Sequence, residues 1–205
     1  MPLITHKAQL PKLVLGSSSP FRKQMLEKLQ LPFIQFAPEI DETPLADETP
    51  TAMIKRLSLL KAQAVAKAHP NSIIIASDQC ATFNNQPIGK PHTHDNAVKQ
   101  LQMFSGQAIK FHTGLVVIDP RDQKAYQSMD TTTVHFRVLS AQTIENYLQA
   151  EQPYQCAGSF KSEGLGITLF ERIESRDPNA LIGLPLIELT SIFAQMGIVL
   201  PLKNS

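Results

Sequence analysis

The stretch "SIIIASDQC", residues 72–80, reads as a buried strand that delivers a carboxylate at its C-terminal end. Ile73–Ala76 is a continuous apolar run, the pattern of a strand covered on both faces, and Ser77, Asp78 and Gln79 follow it directly. In open α/β sheets, ligands bind beyond the carboxyl ends of the strands. An aspartate on such a strand is costly unless it is paired, bound to a metal or used chemically, so Asp78 reads as functional.

Working outward, apolar runs at Leu13–Leu15 and Phe33–Phe36 alternate with helical patterns at Phe21–Leu29 and Thr51–Ala68. That is the βαβα order of an α/β domain. From about Lys110 the texture changes. "KFHTGLVVID" and "AYQSMDTTTVHFRVL" read as two longer strands joined by the turn "PRDQK", which pair antiparallel. Ser140 caps a helix whose apolar face comes from Thr143–Leu148, and a last helix runs from Pro185 to Met196 before Gly197 ends it. The expected architecture is an α/β fold with an elongated mixed β-sheet flanked by helices, in two lobes around a central cleft. Its single domain covers residues 12–202, behind an N-terminal extension over residues 1–11 for which disorder is the expectation.

With 205 residues and 42% hydrophobic content, the chain has enough material for a sizeable core. Its formal charge of +1 gives no global attraction to nucleic acid or anionic membrane, so any phosphate binding is local. No apolar run is long enough to cross a bilayer, and "MPLITHKAQLPK" lacks the pattern of a secretory signal, so a cytoplasmic location is expected. Cys80 and Cys156 stand apart with neither zinc-ligand nor disulfide spacing and read as free thiols.

Five clusters carry chemistry. In "KLVLGSSSPFRKQMLEKL", residues 12–29, a strand, a serine turn and a helix opening on Pro20 present free N–H groups at a positive helix end. Ser17, Ser18, Ser19 and Arg22 add hydroxyls and a guanidinium for an anion, although a plain capped helix explains the same residues. "PEIDETPLADE" places Glu39, Asp41, Glu42, Asp47 and Glu48 in one loop, a donor set for Mg2+ or Mn2+ or a solvated acidic loop. Lys61 lies beside the buried stripe of the 51–68 helix, where a snorkelling lysine is the ordinary outcome. "SDQ" supplies Asp78, and "QPIGKPHT" holds Lys90 forward on a tight turn.

In this order, "GSSSPFRK", "DET", "LKA", "SDQ", "GKP", "AGSFKSEGLG" and "GLPL" resemble the Maf family of nucleoside-triphosphate pyrophosphatases, from about Leu13 to Pro201. The chain is most similar to the branch acting on 7-methyl-GTP, which has an aromatic residue in the first motif where most relatives have arginine; here it is Phe21. The resemblance implies hydrolysis of 7-methyl-GTP to 7-methyl-GMP and diphosphate with Mg2+ or Mn2+. It makes Asp78 the proton acceptor, Glu42 and Asp78 the metal ligands, and Lys61, Lys90 and Arg22 further catalytic groups. Ser17, Ser19 and Arg22 would bind phosphate, and Phe21, Gln79 and Glu163 would select the substrate. It implies a nucleotide partner and a homodimer, with no nucleic acid and no membrane. Two departures stand out: Leu60 occupies a position where relatives often have glutamate, and "ESRDPNALIGLP" replaces a serine-rich approach to Gly-Leu-Pro. A pyrophosphatase for dTTP, UTP or another modified nucleotide, and a non-catalytic nucleotide-binding regulator of division, are the alternatives.

Overall fold

The computed structural model describes residues 3–204. Its spine is the long strand β4 (Ile73–Phe83), which pairs with β6 (Ala108–Ile118) from Ile74 to Thr82. Strand β2 (Leu13–Leu15) lies parallel to β4 on the other side and to β3 (Phe33–Gln35) beyond. β6 continues antiparallel into β7 (Ala125–Phe136) and β8 (Phe170–Glu174). With the short β5 (Gln86–Ile88) folded back onto β4, this is one mixed seven-stranded sheet.

Side-chain alternation along the sheet divides the core. Ile73 and Ile75 of β4, with Leu13 and Leu15 of β2, pack under α1 (Pro20–Glu27) and α5 (Leu186–Gln195), where Leu26, Leu189 and Phe193 are fully buried. Ile74 and Ala76 face the opposite way and meet Ala62 and Val65 of α2 (Pro50–Ala68). Farther along β4 a second core forms, in which Ala81, Phe111 and Phe136 meet Leu101 and Phe104 of α3 (His94–Phe104) and Leu148 of α4 (Ala141–Glu151). Edge-to-face phenylalanines hold it, with ring centroids 5.2 Å apart for Phe136–Phe170 and 4.8 Å for Phe160–Phe170. Two cores threaded on one strand make the two lobes.

Helix starts follow their caps. Ser19, Thr49, Thr93 and Ser140 each accept a backbone N–H three residues on, and Pro20 and Pro50 open α1 and α2 at N1. No helix among the described residues is long and apolar enough to cross a membrane.

Two expectations are corrected. Asp78 lies in the middle of β4, not at its end, because the strand continues past its apolar half through its ladder with β6. The extension expected over residues 1–11 is, over its described residues 3–11, tied into the fold: β1 (Ile4–His6) pairs parallel with β9 (Ile198–Lys203), and the buried Ile4 joins the first core, while residues 1 and 2 lie outside the described residues.

Candidate active site

Between its last pair with β2, Ile75↔Leu15, and its first with β5, Ala81↔Ile88, β4 has no strand on that side. Residues 76–80 therefore form a notch in the sheet edge at the junction of the lobes. The serine turn leaves β2 at one bank, and the Gly89–Lys90 turn leaves β5 at the other. Gly16 starts the first turn by donating its N–H to the Ile75 carbonyl at 2.8 Å. A Cβ on Gly16 would meet Val65 of α2 at 3.0 Å, so glycine is what lets the helix close over this strand end.

The serine turn is internally wired. Ser17 Oγ accepts from the Ser19 N–H at 3.1 Å and from Arg22 Nη1 at 3.3 Å, and Ser19 Oγ accepts the Arg22 N–H at 3.4 Å. Gln35 donates to the Ser17 carbonyl at 3.1 Å. Ser17 is buried, whereas Ser18 is exposed and its N–H and hydroxyl have no partner among the described residues. The turn thus fixes Arg22 and leaves Ser18 open to an anion.

Asp78 is the centre. Its Oδ1 receives Lys61 Nζ at 3.1 Å and faces Arg22 Nη2 at 3.7 Å, while Lys61 Nζ also meets Glu42 Oε1 at 2.9 Å. Lys61, expected to snorkel, is only 8% exposed because β4 and the acidic loop close around it. Arg22 Nε donates to the Gly183 carbonyl at 3.0 Å. Burial pushes the Arg22 guanidinium below its usual range, and the Asp78 and Glu42 carboxylates oppose that shift. Two cations and two carboxylates balance here, so the group as a whole carries no net charge.

The loop that presents Glu42 is clamped from α2. Arg56 grips Glu48 through Nε at 2.7 Å and Nη2 at 2.6 Å, and its Nη2 also reaches the Thr43 carbonyl at 3.1 Å. Asp41 accepts the Thr43 N–H at 2.9 Å. Of the five acids in this loop, Glu42 alone joins Asp78; Asp41 and Glu48 shape the loop. Sequence reasoning missed Arg56, whose spacing of eight from Glu48 carries no local helical signal.

Gln79 is placed otherwise than a free substrate-reading amide. Its Nε2 donates to Thr113 Oγ1 at 2.9 Å, the Ala180 carbonyl at 2.9 Å and the Leu181 carbonyl at 3.0 Å, leaving only Oε1 for a ligand. The turn it grips is a hub: Ser77 Oγ donates to the Gly183 carbonyl at 2.9 Å, and Thr113 donates to Ala180 at 3.0 Å. Gly183 has φ +120°, and the buried Asp177 anchors the turn by accepting from Asn179 and from the Ile187 N–H at the start of α5. Thr113 and Asp177 were missed; "GLPL" was the visible trace of this turn.

Phe21 is half-buried in the first turn of α1, and no aromatic ring packs on it among the described residues. Lys90 and Glu163 are exposed and make no ion pair with the Asp78 group among the described residues. They share a neighbourhood of their own around Cys156. Burial pushes that thiol up, Lys161 and Lys90 draw it down, and Glu163 and Glu151 push it further up. No group of three His, Cys, Asp or Glu side chains poised for a metal occurs among the described residues.

An elongated mixed sheet notched between two lobes, with two carboxylates, a lysine and an arginine converging in the notch beside a serine turn, defines an α/β protein with a charged cleft. The family model described as Maf-like protein matches residues 12–196, and the chain belongs to the Maf family. A protein of Hydrogenovibrio crunogenus named 7-methyl-GTP pyrophosphatase is 64% identical over 95% of this chain and 97% of its own. One of Colwellia psychrerythraea with the same name is 55% identical over 91% of this chain and 93% of its own. Among solved structures, the Staphylococcus aureus Ham1 protein covers 61% of this chain and 71% of its own at 18% identity, with a TM-score of 0.45, too loose a likeness to carry weight.

Proposed function

We propose that the protein hydrolyses 7-methyl-GTP between its α- and β-phosphates, releasing 7-methyl-GMP and diphosphate. The observation that carries this reading is Asp78, set mid-ladder on β4 opposite Gly114, with Oδ1 facing Lys61 and Arg22 and Oδ2 in no hydrogen bond or ion pair among the described residues. The names of the two relatives above support the choice of nucleotide.

Asp78 and Glu42 approach one ammonium from two elements, and no third His, Cys, Asp or Glu joins them in a metal-holding group among the described residues. That suits Mg2+ or Mn2+, which is commonly held by one or two carboxylates with substrate phosphates completing its shell. Asp78 and Glu42 would hold the ion, which when bound lowers the pKa of a water and neutralises phosphate oxygens. The chain's own groups do the rest. Ser18, Arg22 and Lys61 hold the phosphates in line from one bank, and Lys90 holds them from the other. Asp78 Oδ2 takes the proton of the attacking water as its oxygen bonds to phosphorus and the diphosphate departs.

Methylation at N7 makes guanine cationic. Phe21 offers it an aromatic face and Glu163 a carboxylate. A cation–π contact contributes roughly 0.5–2 kcal/mol, a factor of about two to thirty in selectivity. Because such nucleotides are dissolved metabolites, the same proposal puts the protein in the cytoplasm. It includes the homodimer implied by family resemblance, which light scattering tests.

The deciding assay gives the enzyme 7-methyl-GTP, GTP, dTTP, UTP and CTP with and without Mg2+, identifying each product. Monophosphate plus diphosphate, fastest from 7-methyl-GTP, is expected. Release of inorganic phosphate, or a pyrimidine nucleotide ranked first, refutes the proposal.

A further inference from the structure

Glu163 sits at the tip of a hook, residues 161–166, that is bound tightly at its base and loose at its end. The N–H groups of Gly164 and Gly166 both return to the Lys161 carbonyl, at 3.3 and 3.1 Å, and the Lys161 N–H donates to Tyr147 Oη at 3.1 Å. The hook closes on Glu151, the last residue of α4. Lys161 Nζ reaches Glu151 Oε1 and the Glu151 carbonyl, each at 3.1 Å, and the Leu165 N–H donates to Glu151 Oε2 at 2.8 Å. The winding is so close that a Cβ on Gly164 would stand 2.6 Å from Glu151 Oε2, and one on Gly166 would stand 2.3 Å from the Lys161 carbonyl oxygen. Glu163, by contrast, is exposed and receives only the hydroxyl of its neighbour Ser162, at 3.3 Å.

Lys161 is two residues from Glu163 and, left free, is the nearest cation in sequence to neutralise it. Glu151 takes that ammonium with its side chain and with its backbone carbonyl. We infer that Glu151 is a positioning residue for substrate choice: it sequesters Lys161 and anchors the hook, so that the Glu163 carboxylate stays unpaired for a cationic purine base. Neither bonds to the Asp78 group among the described residues, so their effect falls on which base is bound and not on the cleavage step. This inference rests on the 7-methyl-GTP reading and deepens it.

The test compares kcat/KM for 7-methyl-GTP and for GTP in the wild type, Glu151→Gln, Glu151→Gln with Lys161→Gln, and Lys161→Gln alone. In Glu151→Gln the ratio falls about fivefold, the scale of two unit charges about 4 Å apart in water, through a raised KM for the methylated nucleotide. Adding Lys161→Gln restores it, because the competing cation is gone. A merely structural role for Glu151 predicts equal losses on both nucleotides and no rescue. If Glu151→Gln fails to fold, Lys161→Gln alone decides: the inference requires a ratio within about twofold of wild type or higher, since a sequestered lysine does not serve the base. An unchanged ratio in Glu151→Gln, a fall that Lys161→Gln does not reverse, or a fall in Lys161→Gln alone overturns the inference. A wild type without preference for 7-methyl-GTP instead overturns the substrate reading beneath it.

Discussion

Replacing Gly114 with alanine tests whether the catalytic spacing is set by how closely α2 lies on the sheet. Gly114 is the β6 partner of Asp78, and Ser58 of α2 sits directly over it, one turn before Lys61. A Cβ there would stand 2.6 Å from Ser58 Oγ, 3.0 Å from Ile54 Cγ2 and 3.2 Å from the Ile54 carbonyl oxygen. The hydroxyl can rotate away; the helix backbone cannot. Relief therefore requires α2 to lift by a few tenths of an ångström, and overpacking of this kind costs about 1–3 kcal/mol. For a chain of this length that is a fall in melting temperature of roughly 2–4 °C per kcal/mol. The same lift carries Lys61 away from Asp78, whose contact is now 3.1 Å, and loss of placement on that scale lowers turnover by on the order of tenfold. Ser58 Oγ is fully buried without a partner among the described residues, so Ser58→Ala removes the nearest obstacle and none of their hydrogen bonds. The double variant should regain about half of the lost stability, with the Ile54 contacts accounting for the remainder. Denaturant unfolding and initial rates of diphosphate release measure both effects. Gly114→Ala with unchanged stability and rate would refute the idea that helix-to-sheet contact sets the site.

Further outcomes follow from the same geometry. Asp78→Asn should abolish diphosphate release while circular dichroism and the unfolding midpoint stay close to wild type; most of the activity surviving would remove Asp78 as the base. Phe21→Arg should shift the ratio of kcat/KM values from 7-methyl-GTP toward unmodified nucleotides by about two- to thirtyfold, the range of a cation–π contact. Burial, and then the Asp177 carboxylate, raise the pKa of Asp130 on β7 in the folded state. The folded protein thus binds that proton more readily than the unfolded chain, and stability falls as pH rises through the folded pKa. Asp130→Asn should raise the denaturant midpoint at pH 7, with the gain vanishing toward pH of about 4, where the unfolded carboxyl also protonates.

The sequence exposed those elements whose burial repeats along the chain. Leu13–Leu15 and Ile73–Ala76 are unbroken apolar runs, and α2 and α4 open on Thr49 and Ser140 with buried residues at helical spacing. The second half of β4 was hidden because "SDQCATF" breaks the apolar run, and its strand character comes from the ladder with β6. α3 was overlooked because Ala97, Leu101 and Phe104 are a thin stripe among polar residues. The β4–β5 hairpin did leave a signal in Asn84–Asn85, both at positive φ, of the kind two-residue hairpins favour. The motifs brought Asp78, Lys61, Arg22 and Glu42 into view. What they could not convey was which atoms were already committed: Gln79 spends its amide on the turn before α5, and Arg56 holds the loop of Glu42, through partners that meet only in the folded chain.

The missing neighbour along residues 76–80 of β4 also works as a gauge. From Ile75 to Ala81 the strand spans roughly 20 Å at about 3.3 Å per residue, with the serine turn at one end and Lys90 at the other. A molecule that engages both ends must be extended to about that measure. If it is cut near Asp78, as proposed above, each fragment keeps only part of the contacts that held the whole. Scission would thereby loosen its own products, so that the interval which admits the substrate also sets the terms on which the cleft empties.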